Sequence, residues 1–266
     1  MKLLDEAQKV VCAYSRTWYE PITSMPRGLS EATTAAYLCM RGIDEIEDHP
    51  FLDGKTKAHL LRQVAATFQG RFSVADFGLQ FHTYARHLPD VTLRLGEWTR
   101  LAPSDIAPRV LETFATLAER MAWWAEADFY VQSEQDLNRY TYTVAGTLAL
   151  LLCDLWAWHD GTRSNRTLGV GYGRALQSIN ILIDRHEGTG RGENVWPEGW
   201  QTGEMLAYAR RELHLADAYL AGLPAGPART FCQTPLARAH RSLARAGDMT
   251  ENKRFGEGTQ GYNMGN

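Results

Sequence analysis

Apolar residues recur at three- and four-residue intervals from one end of the chain to the other, and no run alternates β-branched with polar residues. That periodicity predicts an all-α protein. Helices are expected over residues 4–19, 30–48, 54–70, 73–88, 105–129, 133–158, 166–187, 202–222 and 228–246. Pro21 and Pro26 are expected to stop the first, and Ser30 to cap the second, which ends just before Pro50. No linker or composition shift divides residues 1–246, which read as one domain. Residues 247–266 are polar and glycine-rich, a tail expected to be disordered or to fold over a site as a lid.

Two helices break the apolar pattern on one side. Between Tyr172 and Glu187, the residues Gln177, Asn180, Asp184 and Glu187 share a face, while Ala175, Leu176, Ile179, Leu182 and Ile183 fill most of the rest. A helix that is apolar nearly all round is buried, so this stripe must face a partner, a cavity or a metal. Two acids beside two amides make an oxygen-rich surface of the kind Mg²⁺ prefers, usually together with a phosphate. Earlier, Arg41, Asp44 and Asp48 also share a face. Taken alone, that segment reads as a solvated acidic helix end, because like charges four apart cost only tenths of a kcal/mol. Two such helices in one chain suggest carboxylates facing each other across a site for Mg²⁺ and a diphosphate.

Composition removes other classes. The 28 basic and 31 acidic residues leave a net charge of −3, which argues against a nucleic-acid surface. The four cysteines, Cys12, Cys39, Cys153 and Cys232, lie far apart and read as buried thiols of a reducing compartment. The N-terminus lacks the apolar run of a signal peptide. The greasiest stretch, 144–158, is short for a bilayer and contains Asp154, so it reads as a core helix. A cytoplasmic protein without a transmembrane segment is expected. Oligomeric state is not encoded in any of these features.

Other signals have plain readings. Gly169, Gly171 and Gly173 lack the spacing and the preceding strand of a dinucleotide loop and read as helix-packing glycines. His186, beside the acidic stripe, reads as a surface residue or one that supports a ligand from behind, rather than as a ligand. Trp123 and Trp124, and the pair Trp156 and Trp158, read as core unless they line a cavity near the acids, where their π faces would steady a carbocation. Tyr140, Val144, Leu148, Leu152 and Trp156 repeat every four residues, a face that suits either core or the wall of a prenyl pocket.

These residues, taken together, resemble the squalene/phytoene synthase family. Arg41-x-x-Asp44-x-x-x-Asp48 resembles its first aspartate-rich motif. Tyr140-Thr-Tyr-Thr-Val-Ala-Gly146 resembles its Tyr-Cys-Tyr-x-Val-Ala-Gly helix, and Leu176-Gln-Ser-Ile-Asn-Ile-Leu-Ile-Asp184 its Leu-Gln-x-x-Asn-Ile-x-Arg-Asp segment. Ser15-Arg16-Thr17-Trp18 resembles its Ser-Lys-Ser-Phe diphosphate contact. The resemblance implies an isoprenoid synthase fold around a central cavity. It implies Mg²⁺ held by Asp44, Asp48, Asp184 and Glu187, with Asn180 and Gln177 in support. Ser15, Arg16, Thr17 and Arg41 would hold an allylic prenyl diphosphate, and Tyr140, Trp18, Trp156 and Tyr172 would shape the pocket.

The departures shape the expected reaction. Gly188 stands where the family's second motif ends in an acid, Ile183 replaces the arginine before Asp184, and Trp156 and Tyr172 replace aliphatic residues. A head-to-head synthase ionises two diphosphates, and this chain looks equipped for one. The expectation is therefore transfer of a short prenyl group, dimethylallyl first, to a small aromatic acceptor, as in squalene-synthase-like enzymes that alkylate carbazole quinones. The rivals are a head-to-head squalene- or phytoene-type synthase, a prenyl diphosphate phosphatase and a non-catalytic relative.

Overall fold

The structure, a computed structural model, describes residues 2–187 and 195–258, without the side chains of Arg16, His186, Glu187 and 249–258. Among the described residues every regular element is helical. The helices are α1 (Lys2–Tyr14), α2 (Arg16–Thr23), α3 (Leu29–Glu47), α4 (Gly54–Gln69), α5 (Val74–Gln80), α6 (Asp90–Leu93), α7 (Leu95–Trp98), α8 (Ala107–Glu126), α9 (Glu134–Thr141), α10 (Thr147–Asp160), α11 (Arg166–Glu187), α12 (Thr202–Gly222) and α13 (Pro227–Gly258). α4 packs along α8 and α11 along α12, and between these pairs α3, α10 and α11 surround a cavity.

Several boundaries differ from the periodicity, each for a local reason. The expected first helix is two: Ser15 leaves helical geometry and its hydroxyl accepts the Trp18 N–H at 3.3 Å, so α2 restarts and carries Pro21 inside it. Ser30 does not cap α3. Gly28, at φ +83°, takes that place, and the buried Ser30 hydroxyl donates instead to the Ile22 carbonyl at 3.0 Å. The expected helix 73–88 ends at Gln80 and gives way to a single 3₁₀ turn, His82–Tyr84. α13 continues to Gly258 through the first part of the expected tail, whose last residues lie outside those described. Cys12 is exposed, unlike the other three free thiols, Cys39, Cys153 and Cys232.

α9 and α10 are one continuous helical run with a π turn, Tyr142–Gly146, between them. A π turn widens the helix and displaces carbonyls from their usual partners. Threonines answer this locally: the hydroxyls of Thr141, Thr143 and Thr147 donate to the carbonyls of Leu137, Arg139 and Thr143 at 2.7, 2.9 and 2.7 Å. The run Glu134–Asp160 spans 27 residues, long and apolar enough on composition to cross a membrane, but half of its apolar window is buried inside the protein. It coincides with the helix expected over 133–158 and contains the greasy stretch 144–158.

The three glycines of α11 are packing residues. A Cβ on Gly169 would meet Cys153 Sγ at 2.9 Å, one on Gly171 would meet Leu215 Cβ at 2.6 Å, and one on Gly173 would meet the Ala145 carbonyl oxygen at 2.5 Å. The last contact fixes how closely α11 approaches the π turn. Gly203, by contrast, has open space around it. Gly173→Ala is expected to force backbone apart and cost about 1–3 kcal/mol, or roughly 3–10 °C in melting temperature. Gly203→Ala should leave melting unchanged or slightly raised, and calorimetry of the two variants checks the contrast.

Candidate active site

α3 and α11 present their polar stripes to one cavity of about 430 Å³. Asp44, Glu47 and Asp48 enter it from α3, and Gln177, Asn180 and Asp184 from α11. The apolar faces of the same helices explain the placement: Ile43 and Ile46 on α3, and Ile179 and Leu182 on α11, are buried in the core and turn the oxygens inward. Val144, Leu148 and Leu152 of the continuous helix form one wall below the acids, and Trp18, Tyr172 and Phe231 add rings. Trp18 and Phe231 pack with centroids 5.6 Å apart. The Tyr172 hydroxyl is not free to act in the cavity, since it donates to the Cys232 carbonyl at 3.1 Å.

Most of the sequence-derived site residues converge here. Ser15, Trp18, Arg41, Asp44, Asp48, Tyr140, Tyr172, Gln177, Asn180 and Asp184 all line the cavity. Glu187 closes α11, but its side chain lies outside the described residues, as do that of Arg16 and the whole of Gly188. Two assignments change. Thr17 does not line the cavity and instead accepts a hydrogen bond from Arg238 of α13. Trp156 is only 1% exposed and sits behind the wall, its ring against Phe231 at 5.4 Å. The four-residue period that carried Tyr140 to Leu152 into the cavity runs past its floor at Trp156. Trp123 and Trp124 are also absent from this cavity and line a separate groove.

Glu47 was missed, although its position three residues after Asp44 puts it on the same helical side. It is 9% exposed, and the Tyr140 hydroxyl donates to its Oε1 at 3.4 Å. Burial foremost, then the charges of Asp44 and Asp48, push its carboxyl well above the usual carboxylate range, against the pull of Lys57 and the Tyr140 hydroxyl. The Tyr140 phenol is held protonated by burial and by the same three carboxylates. Tyr37, bonded to Ser15, is pushed up to about 12, chiefly by burial. Burial works against the Arg41 charge, but Asp44, Glu45 and Asp48 more than offset it and raise its pKa. Arg41 donates to Asp44 at 3.2 Å and to Glu45 at 2.9 Å, which anchors it at the rim of the acidic side.

The donor set is all oxygen, and it fits Mg²⁺ rather than a soft metal. Among the described residues no three acidic, histidine or cysteine side chains already enclose a point suitable for an ion. Mg²⁺ takes one or two protein carboxylates and completes its shell with water and phosphate oxygens.

The comparisons with known proteins agree with this geometry. The family model "Squalene/phytoene synthase" matches residues 11–203. The chain belongs to that family. It is 24% identical to the squalene synthase of Schizosaccharomyces pombe, over 86% of this chain and 56% of the relative. It is 27% identical to a bifunctional lycopene cyclase/phytoene synthase of Arthroderma gypseum, over 63% of this chain and 30% of that protein. The chain thus spans about half the length, or less, of the curated relatives it matches. Solved structures share the fold: TcSQS with the ligand BPH1237 has a TM-score of 0.72 at 18% identity, covering 92% of this chain and 79% of that one. A dehydrosqualene synthase with a bound ligand has a TM-score of 0.56 at 17% identity, covering 95% of this chain and 87% of that one. The squalene/phytoene synthase family binds prenyl diphosphate donors and uses Mg²⁺ to do so.

A raised carboxyl pKa has a definite sign in stability. Above the usual carboxylate range the folded protein binds a proton at Glu47 more readily than the unfolded chain, so the stability contribution is full at and below that range and fades as pH rises toward the raised folded pKa. Glu47→Gln removes that penalty. In metal-free protein the variant should melt above the wild type at pH 7.5, with the gap closing toward pH 4. An unchanged gap across that range, followed by differential scanning fluorimetry, would contradict this account of Glu47.

Proposed function

We propose that this family member ionises allylic prenyl diphosphates with Mg²⁺ and joins two prenyl units head to head, in the manner of squalene- and phytoene-type synthases. The observation that carries the reading is the cavity itself, with acids from α3 and α11 above a wall of Val144, Leu148 and Leu152 and the rings of Trp18 and Phe231. Asp44, Asp48 and Asp184 are the proposed metal ligands, joined by Glu187 on the family resemblance, with Glu47 next to Asp44 and Asp48 and with Asn180 and Gln177 supporting. Bound Mg²⁺ would neutralise the charge that develops on the departing diphosphate. Ser15 and Arg41, which line the same cavity, would orient it. The apolar wall excludes water from the allylic cation, and aromatic faces stabilise it. The reading includes a cytoplasmic setting, which four free thiols suit.

A second reading is transfer of dimethylallyl to a small aromatic acceptor such as a carbazole quinone. Its support is Gly188 in place of the final acid, Ile183 in place of an arginine and the bulk of Tyr172 in the cavity wall. Trp156 no longer contributes to that case, because it lies behind Phe231. Capture of the cation by water, giving a free prenyl alcohol, is the outcome if the cavity admits solvent.

Incubation with Mg²⁺ and dimethylallyl, geranyl, farnesyl or geranylgeranyl diphosphate, with and without aromatic acceptors, separates these readings. A hydrocarbon built from two copies of one donor, without acceptor, is the expected product. A prenylated aromatic formed only when acceptor is present would establish the second reading instead. Asp44→Asn and Asp184→Asn should each lower kcat by roughly 10²–10³-fold in either case, since each weakens stabilisation of the leaving group.

A further inference from the structure

A second groove of about 550 Å³ lies on the outer side of the π turn, lined by α8, α9 and α11. Its walls carry three arginines, Arg120, Arg139 and Arg174, and three aromatic residues, Trp123, Trp124 and Tyr142, and no acid lines it. The arginines come from three different helices, so the clustering is a product of the fold and not of one charged helix face.

The charges do not cancel. Arg139 pairs with Asp136 at 3.2 Å and Arg174 with Glu212 at 2.8 Å, both carboxylates outside the lining, whereas Arg120 makes no ion pair among the described residues. Three guanidiniums therefore stand against two carboxylates. Arg120 lies over the Tyr142 ring, 5.4 Å from its centroid. Arg174 points Nη2 toward Asn138, Tyr208 and Glu212, but its Nε is buried with no hydrogen-bond partner. Arg174 is thus committed to protein partners and adds positive charge behind the groove, which leaves the exposed Arg120, without an ion pair among the described residues, as the guanidinium that can meet an anion. Trp123 adds an exposed ring, 56% accessible, set edge-on to Trp124 at 4.8 Å. Exposed tryptophan beside unneutralised guanidinium offers a flat ring something to stack on and an anion something to pair with.

We propose that this groove is a second ligand site, separate from the acidic cavity, for a small aromatic oxyanion: a flat ring bearing a phosphate or carboxylate group. The ring lies against Trp123, and the anionic group meets Arg120, with Arg139 and Arg174 adding positive charge around it. The site is independent of which prenyl product the enzyme makes. It also excludes the Mg²⁺-bound diphosphate of the acidic cavity, because the groove supplies no carboxylate to hold a metal.

The test is isothermal titration of the full chain at low salt with AMP, benzoate, adenosine and inorganic phosphate, repeated on Arg120→Ala and Trp123→Ala. Both side chains are exposed, and circular dichroism verifies that the variants are folded. AMP or benzoate is expected to bind with a Kd below about 1 mM, and each substitution to weaken it by roughly tenfold or more. Adenosine and phosphate alone should bind at least as weakly as the variants bind the intact ligand. Binding of AMP alone marks a phosphate-bearing ring, and of benzoate alone a carboxylate. Saturating Mg²⁺ with inorganic diphosphate should not displace the ligand. No binding of either oxyanion up to about 10 mM would overturn the proposal. So would affinity unchanged in both variants, phosphate alone binding as tightly as AMP, or displacement by Mg²⁺ and diphosphate.

Discussion

Like-charged carboxylates held around one partly buried cavity are the constraint on which this molecule turns. Asp44 and Glu47 lie on the last turn of α3, Asp48 caps it, and Asp184 comes from α11 into the same cavity. Water, which would ordinarily separate such charges, is largely excluded from Glu47, and its carboxyl pKa is raised as a result. Tyr140 donates to that group, and Lys57 from α4 draws it down from outside the cavity lining. A cation with phosphate oxygens would relieve the same repulsion, so the raised carboxyl pKa and the proposed binding of metal and diphosphate have one origin.

The scaffold holds that arrangement by close packing. α11 carries Gly173 against the Ala145 carbonyl and Gly171 against Leu215, approaches that a methyl group would prevent. The π turn serves two surfaces at once. Val144 and Ala145 face the acidic cavity, while Tyr142 and Thr143 face the arginine-rich groove outside. Trp124 lies between them, lining the groove and meeting the Tyr140 ring edge-on at 5.5 Å, and the Tyr140 hydroxyl reaches Glu47. The wall of the cavity is thus also the floor of the groove.

Much of this was legible in the chain. The stripes of α3 and α11 followed from helical spacing, because a polar face on an otherwise apolar helix has to be satisfied somewhere inside. The glycines of α11 were readable as packing residues for a similar reason. What sequence did not carry was depth and direction. Trp156 fits the period of the cavity wall but falls one turn below the floor, and periodicity alone does not say where a cavity ends. Thr17 sits beside Ser15 in sequence, yet the break at Ser15 that starts α2 turns it toward Arg238. Glu47 was overlooked because its neighbours Asp44 and Asp48 already made a complete-looking pair. The groove was invisible because Arg120, Arg139 and Arg174 meet only through the packing of three helices.

The most direct test of the central claim is the thermal shift produced by Mg²⁺ and inorganic diphosphate, added singly and together, to wild type, Asp44→Asn and Asp184→Asn. If acids from α3 and α11 share one metal-bound diphosphate, the pair of ligands will raise the wild-type melting temperature by more than the sum of their separate effects. That synergy will disappear in each single variant, because binding to the folded state alone is what stabilises it. Synergy that survives intact in either variant would contradict a site shared between the two helices.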